Sequence, residues 1–287
     1  MPELPEVETV RLQLLYKVKG RTIKDVKIFH KKTVGHAARF AAKLRGKTIS
    51  HIDRVGKLMI FEFAGEENLF MLAHLKMTGQ FFFRAKGEVA GGGHTLTKTD
   101  TASLPNKHTR VEFIFTDGSH LYFNDMRLFG YTKLVDKAAL EKAQAAYGPE
   151  PIHDDFPYDD FIARVRKRRT SIKAALLDQS FVAGLGNIYV DEALFKARVR
   201  PTRRADKLTK TEARLIIEAG GAVMRHSITV GGTTFQHFVD TGGENGNYTD
   251  YLLVFGKQNT PCTVCATIIK KIRCAGRGTH FCPKCQK

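Results

Sequence analysis

Hydrophobic positions change their period along the chain. Val7, Val10, Leu14 and Val18 recur on one face of a helix that Pro5 opens and Gly20 stops. Over residues 21–83 short apolar runs, at 58–63, 69–72 and 80–83, alternate with charged or Gly-containing turns and read as strands. The run 84–107 holds Gly91-Gly92-Gly93 and many Thr with little apolar content, so it predicts a long loop. Strands return at 110–115 and 120–123 around Asp117-Gly118, a hairpin signature. Gly148-Pro149-Glu150-Pro151 reads as a stiff linker, and beyond it the period becomes helical at 158–168, 171–179, 188–196 and 209–228. The last of these carries an apolar face of Leu215, Ile216, Ala219, Ala222 and Val223. No internal repeat interrupts the series. The expected fold class is α+β. A β-sandwich or barrel with a flanking helix spans 1–135, a linker 136–157, a helical domain 158–260 and a small terminal unit 261–287.

Composition adds little until charge is counted. A hydrophobic content of 43% with 26% charged residues is that of a globular chain with real cores. No apolar run approaches the ~20 residues of a bilayer span. The first residues lack a basic-then-apolar leader pattern, so a cytoplasmic location and no membrane partner are expected. The net charge of +17 changes the picture, because an excess of that size asks for a polyanion. Without a basic amphipathic helix of broad apolar face, nucleic acid comes before an anionic membrane.

All five cysteines lie after residue 260, and four of them form Cys262-x2-Cys265 and Cys282-x2-Cys285 with sixteen residues between. That spacing is a two-knuckle zinc pattern, and four thiolates leave no open position, so one structural Zn²⁺ is expected. A tail this short builds no core of its own, and metal binding supplies its folding energy. Cys274 is left over as a free thiol. Between the knuckles, 268–273 and 279–281 read as strands around Gly276-Arg277-Gly278, with a guanidinium at the hairpin tip suited to a phosphate.

Further candidates are scattered. Removal of Met1 would leave Pro2 with a free secondary amine, and Glu3 follows at once. Such an amine is nucleophilic when neutral, and on a carbonyl-like carbon it forms a cationic iminium. Gly184-Leu185-Gly186-Asn187 joins two helical segments, with Asn187 as helix cap or phosphate-contacting amide. Arg164, Arg166, Lys167, Arg168 and Arg169 form a basic run. Lys57 follows Gly56 at a strand start, His74 and Met77 flank another turn, and Arg127 stands near Phe129 where an exposed aromatic could enter a base stack.

Together these residues closely resemble the bacterial formamidopyrimidine-DNA glycosylase family. The resemblance runs from Met1-Pro2-Glu3-Leu4-Pro5-Glu6 through Gly56-Lys57, His74-Leu75, Met77-Thr78-Gly79, Arg127 with Phe129-Gly130, Gly148-Pro149-Glu150-Pro151 and Gly184 to Tyr189, to the run from Gly276 to Gln286. It implies a sandwich with flanking helices, a helix-two-turn-helix domain and a four-cysteine zinc-finger hairpin. It also implies a monomeric bifunctional enzyme acting on duplex DNA that holds an oxidised purine or an abasic site. By that resemblance Pro2 attacks C1′, Glu3 is the general acid/base, Glu6 is a second carboxylate in the pocket, and Lys57 donates a proton or positions a phosphate. Arg277 assists elimination and holds a phosphate. His74, Lys173 and Asn187 are further DNA contacts. Met77, Arg127 and Phe129 fill the vacated stack, and the loop 241–251, which includes Tyr248, closes over the extruded base. The chain departs from the family pattern at Lys76, Met126, Leu128, Ala174-Ala175 and Lys257. The endonuclease VIII branch, specific for oxidised pyrimidines, is the nearest alternative, and Leu4 argues against it. A non-catalytic damage-binding zinc protein is the alternative of another class, against which the Pro2–Glu3 pair argues.

Overall fold

The computed structural model describes residues 2–86, 88–92, 103–233 and 247–287. Contacts divide the chain into two units, Met1–Ala145 with Val230–Asn247, and Ala146–Thr229 with Tyr248–Lys287.

Among the described residues the first unit is built on α1 (Leu4–Val18) and nine antiparallel strands. Strands β1 (Ile23–Ile28), β5 (Gly79–Ala85), β6 (Glu88–Gly92), β7 (Thr109–Phe115) and β8 (His120–Asp125) form one sheet in the order β1-β7-β8-β5-β6. Strands β2 (Ile49–Val55), β3 (Leu58–Phe63), β4 (Phe70–His74) and β9 (Tyr131–Val135) form the other, in the order β2-β3-β4-β9. One apolar cluster joins Val7, Val10, Leu14 and Val18 of α1 to inward residues of both sheets, which makes the unit a sandwich with the helix on its core. The period of two explains the three consecutive phenylalanines of β5. Phe81 and Phe83 enter this core, while Phe82 packs on the opposite face with Tyr122 and Leu104.

Four elements depart from the expected pattern. Helices α2 (Lys31–Val34) and α3 (Ala37–Leu44) interrupt the strand-rich stretch, and α3 inserts Phe40 and Leu44, one turn apart, into the core. Helix α4 (Lys137–Ala145) occupies the start of the expected linker and packs on β4 and β9. The expected loop 84–107 in fact begins as a hairpin, since β6 pairs with β5 from Ala85↔Glu88 to Phe81↔Gly92. Backbone hydrogen bonding carries a strand there that the glycines conceal in the sequence. Of that expected loop, residues 87 and 93–102 lie outside the described residues.

The second unit contains α5 (Tyr158–Val165), α6 (Ile172–Leu177), α7 (Asn187–Lys196) and α8 (Lys210–Thr229). Ser171 caps α6, its Oγ accepting the Ala174 N–H at 3.2 Å. Gln179 fixes the turn between α6 and α7: its Nε2 donates to the Leu185 carbonyl at 2.8 Å and its Oε1 accepts the Gly184 N–H at 3.1 Å. Gly184 takes φ +90°, which a side chain would resist. The cap of α7 is Gly186, not Asn187, which stands as its first helical residue. Strands β10 (Lys270–Cys274) and β11 (Arg277–Phe281) form the terminal hairpin, closed by Ala275 and Gly276 at φ +51° and +70°. Both φ values are positive, as the tight two-residue turn demands. Arg277 therefore opens β11 immediately after the tip.

Candidate active site and nucleic-acid contacts

Pro2 and Glu3 are buried at the root of α1. Glu3 is the N-cap, and its backbone N–H donates to Glu6 Oε2 at 2.8 Å, half of a capping box. The other Glu6 oxygen accepts the Thr233 N–H at 2.9 Å across 227 residues of sequence. Glu6 is buried, so both bonds form away from water and are correspondingly costly to lose. One carboxylate thus ties the terminus to the segment at Thr233, which bridges to Asn247. Residues 241–246 of the expected closing loop lie outside the described residues. Tyr248 is buried in the second unit, against Tyr189, His226 and Tyr251.

Lys57 and His74 are both buried within the first unit. Burial pushes the His74 imidazole down to about 3, and the Lys76 and Lys57 ammonium charges push the same way. The ring is therefore neutral near pH 7. Its Nδ1 accepts the Lys76 N–H at 3.0 Å, which leaves the proton on Nε2 as a donor. A neutral donor of that kind can hold a phosphate oxygen without titrating.

Asp125 builds the turn that displays Arg127. Its Oδ1 accepts the Thr78 hydroxyl and the Arg127 N–H, and its Oδ2 accepts the Gly130 N–H at 2.6 Å. Gly130 is required by close approach, because a Cβ there would lie 2.9 Å from Phe123 Cζ and 3.1 Å from the His74 carbonyl. The turn holds Met126, Leu128 and Phe129 in water, with Met77 exposed on the neighbouring one. The Arg127 guanidinium lies 4.9 Å from the Phe129 ring centroid. Large apolar side chains exposed on a braced turn are costly in water and suited to entering a base stack.

In the second unit the turn before α7 and the terminal hairpin meet. Asn187 Nδ2 donates to the Gly278 carbonyl at 3.1 Å, one residue from the exposed Arg277. Lys173 is expected from the sequence to contact DNA, but it is wholly buried. Its Nζ donates to Asp191 Oδ1 at 2.7 Å and reaches the Gly278 carbonyl at 3.4 Å, while Asp191 Oδ2 accepts the His280 N–H at 2.8 Å. As placed, Lys173 holds the hairpin rather than presenting a charge to solvent. Sequence reasoning passed over Asp191. An acidic residue inside an amphipathic helix carries no signal of burial, and only the interior position of Lys173 identifies its partner. It also passed over Glu192, whose carboxylate accepts the Leu253, Val254 and Phe255 N–H groups at 2.8–2.9 Å and fixes the approach to the zinc unit.

The donor atoms of Cys262, Cys265, Cys282 and Cys285 all lie within 4.8 Å of one another. The Sγ–Sγ distances of 3.9 Å for Cys262–Cys285 and 3.5 Å for Cys265–Cys282 bracket the edge of about 3.8 Å of a tetrahedron with Zn–S bonds of ~2.3 Å. These four thiolates fit one structural zinc ion. Cys274 is buried apart from them, with its Sγ 3.5 Å from Ser171 Oγ.

A sandwich with a braced N-terminus, a helix-two-turn-helix and a four-cysteine hairpin define a class, the zinc-finger DNA glycosylases. Family models match on the same segments: the formamidopyrimidine-DNA glycosylase N-terminal domain over residues 1–132, its H2TH domain over 147–239, and the zinc finger found in FPG and IleRS over 260–287. The chain belongs to the formamidopyrimidine-DNA glycosylase family. It is 39% identical to the formamidopyrimidine-DNA glycosylase of Ligilactobacillus salivarius, covering 100% of this chain and 99% of that one. It is also 39% identical to that of Listeria monocytogenes serotype 4b, with 100% of both covered. Among solved structures, a Lactococcus lactis FPG variant in complex with Fapy-dG-containing DNA superposes with a TM-score of 0.87 at 33% identity, covering 100% of each chain. The Lactococcus lactis Fpg complex with DNA containing an abasic site gives 0.85 at 33% identity, again over 100% of each chain. Among the described residues, no helix is long and apolar enough to cross a membrane.

Proposed function

We infer that the chain is a base-excision repair enzyme that removes oxidised purines, 8-oxoguanine and formamidopyrimidines, from duplex DNA and then cuts the strand at the abasic site. The observation that carries this reading is the burial of Pro2 and Glu3 at the root of α1, with Glu6 gripping the Glu3 amide, in a chain of this family. A damaged base cannot be reached inside a duplex, so the nucleotide turns out of the stack at a cost of a few kcal/mol. Met77, Arg127 and Phe129 occupy the gap and face the base opposite. His74 donates its Nε2 proton to a phosphate, and Lys57, Asn187 and Arg277 hold others.

With Met1 removed, the neutral Pro2 nitrogen attacks C1′. The bond from C1′ to the base breaks, and its electron pair leaves with the base, which is protonated. The attacking nitrogen gives up its proton, Glu3 protonates O4′ as the C1′–O4′ bond breaks, and the nitrogen lone pair gives a C1′ iminium. The iminium acidifies the C2′ proton. Its removal expels the 3′ phosphate with the C3′–O electron pair, and a second elimination expels the 5′ phosphate. Water then releases Pro2. Cys262, Cys265, Cys282 and Cys285 would hold one zinc ion that stabilises the hairpin carrying Arg277, and four thiolates would leave no position for substrate. Such a role places the protein with the chromosome in the cytoplasm.

A panel of otherwise identical duplexes tests the substrate class. Release of 8-oxoguanine and formamidopyrimidine opposite cytosine, well ahead of oxidised pyrimidines, is expected. Preference for thymine glycol would move the chain to the endonuclease VIII type, and binding without base release would make it a damage binder.

A further inference from the structure

The first unit carries a second recessed surface, distinct from the buried terminus. A cavity of about 560 Å³ opens beside α3, with Val34, Phe40 and Leu69 on its floor. These three side chains are at most 6% exposed, so the floor is an outcrop of the core. The rim is cationic. Arg39 and Lys43, four residues apart on α3, stand on one side, and Lys133 of β9 lies on the other. Neither Arg39 nor Lys43 has a carboxylate partner among the described residues. The lining holds one carboxylate, Asp136, against these three cations; its Oδ1 takes the Ala139 N–H at 2.8 Å, and the Asn68 Oδ1 takes the Lys137 N–H at 2.8 Å. A second cavity of about 570 Å³ shares Gly35, His36 and Arg39 with the first and adds Lys31, so the recess is elongated.

Lys133 Nζ lies 4.9 Å from the Tyr131 ring centroid, and an apolar floor under cations that lack a carboxylate partner is poorly suited to a nucleic-acid backbone, which offers charge but no apolar side chain. It suits an acidic segment with a hydrophobic anchor. The eight residues of α3 span about 12 Å at ~1.5 Å each, and an extended peptide covers that distance in about four residues. The volume also lies in the range of ~300–1,000 Å³ that takes compact ligands. We propose that this groove docks a short acidic peptide of a partner protein, one bulky apolar side chain seated on Phe40 and Leu69 and its carboxylates paired with Arg39, Lys43 and Lys133. The proposal does not rest on the glycosylase reading, and a protein without base-release activity would carry the same groove.

The probe is a fluorescein-labelled peptide, Asp-Glu-Asp-Phe-Asp-Glu, titrated with the full chain by anisotropy at about 0.15 M salt, where loose charge attraction is screened. Saturable binding is expected, weakened at least tenfold by replacing the peptide Phe with Ala, and at least tenfold by the double substitution Arg39→Glu/Lys43→Glu. Both positions lie on the rim and outside the core, so the double variant is expected to melt with the parent and keep its base-release rate. Equal affinity for the double variant, or for the Ala peptide, overturns the proposal. So does stoichiometric displacement of the peptide by undamaged duplex DNA, which would assign these cations to a DNA backbone.

Discussion

Lys173 and Asp191 offer the sharpest test of how the hairpin is held. Both side chains are 0% exposed, with Nζ and Oδ1 2.7 Å apart. Lys173→Met removes the cation, nearly preserves volume and leaves a buried carboxylate facing the His280 N–H at 2.8 Å and the His280 Nδ1 at 3.5 Å. Breaking a buried pair from one side costs about 3–5 kcal/mol. With a urea slope of about 2 kcal/mol/M for a unit of this size, the midpoint falls by roughly 2 M. Asp191→Asn is costly for the converse reason, a buried ammonium left without its anion. The double variant removes both charges and keeps an amide oxygen for His280. It should lie within about 2 kcal/mol of the parent and above both single variants. Urea unfolding followed by far-UV circular dichroism measures the stability cycle, and anisotropy on an abasic-site duplex measures the affinity cycle. If Lys173 acts by holding the hairpin, the second substitution rescues affinity along with stability. Additive losses in both cycles would refute the reasoning and return Lys173 to a direct phosphate contact, which no change at Asp191 can replace.

Two further outcomes follow from the same geometry. Chelation of the zinc should unravel β10 and β11, expose 260–287 to protease and abolish lesion binding, with recovery on adding Zn²⁺; full binding after verified metal removal would contradict the assignment. His74 is held far below its ordinary value, so the unfolded chain takes up a proton there that the folded chain refuses. Stability is thus complete above pH ~6.5 and falls by about 1.4 kcal/mol per unit as pH drops toward the folded value. Compared with His74→Gln, the parent should lose roughly 2–3 kcal/mol more between pH 7.5 and 4.5, and parallel unfolding curves would show that the ring is already solvated.

Local signals made much of this molecule legible in its sequence. Helix α1 showed itself through the spacing of Val7, Val10, Leu14 and Val18 between Pro5 and Gly20, and the β7–β8 hairpin through Asp117-Gly118. The four thiolates were fixed by spacing alone, because two Cys-x2-Cys knuckles leave tetrahedral zinc few rivals. Features set by distant partners stayed hidden. Strand β6 reads Glu-Val-Ala-Gly-Gly and earns its place only by pairing with β5. The short helices α2 and α3 lack the length for a period to stand out. Glu6 looked like an additional pocket carboxylate, and its hold on Thr233, 227 residues away, has no sequence signature. Lys173 looked like one more basic residue in a basic protein until its ammonium was found inside, against Asp191.

Catalysis by this chain turns on a covalent bond from the Pro2 nitrogen to the sugar. Borohydride reduction during reaction with an abasic-site duplex, followed by proteolysis and mass analysis, reads that bond directly. A stable adduct is expected on the peptide that begins at Pro2, without Met1, and no adduct in Pro2→Gly. Strand cleavage by a chain that retains Met1, or an adduct mapped to a lysine, would contradict it.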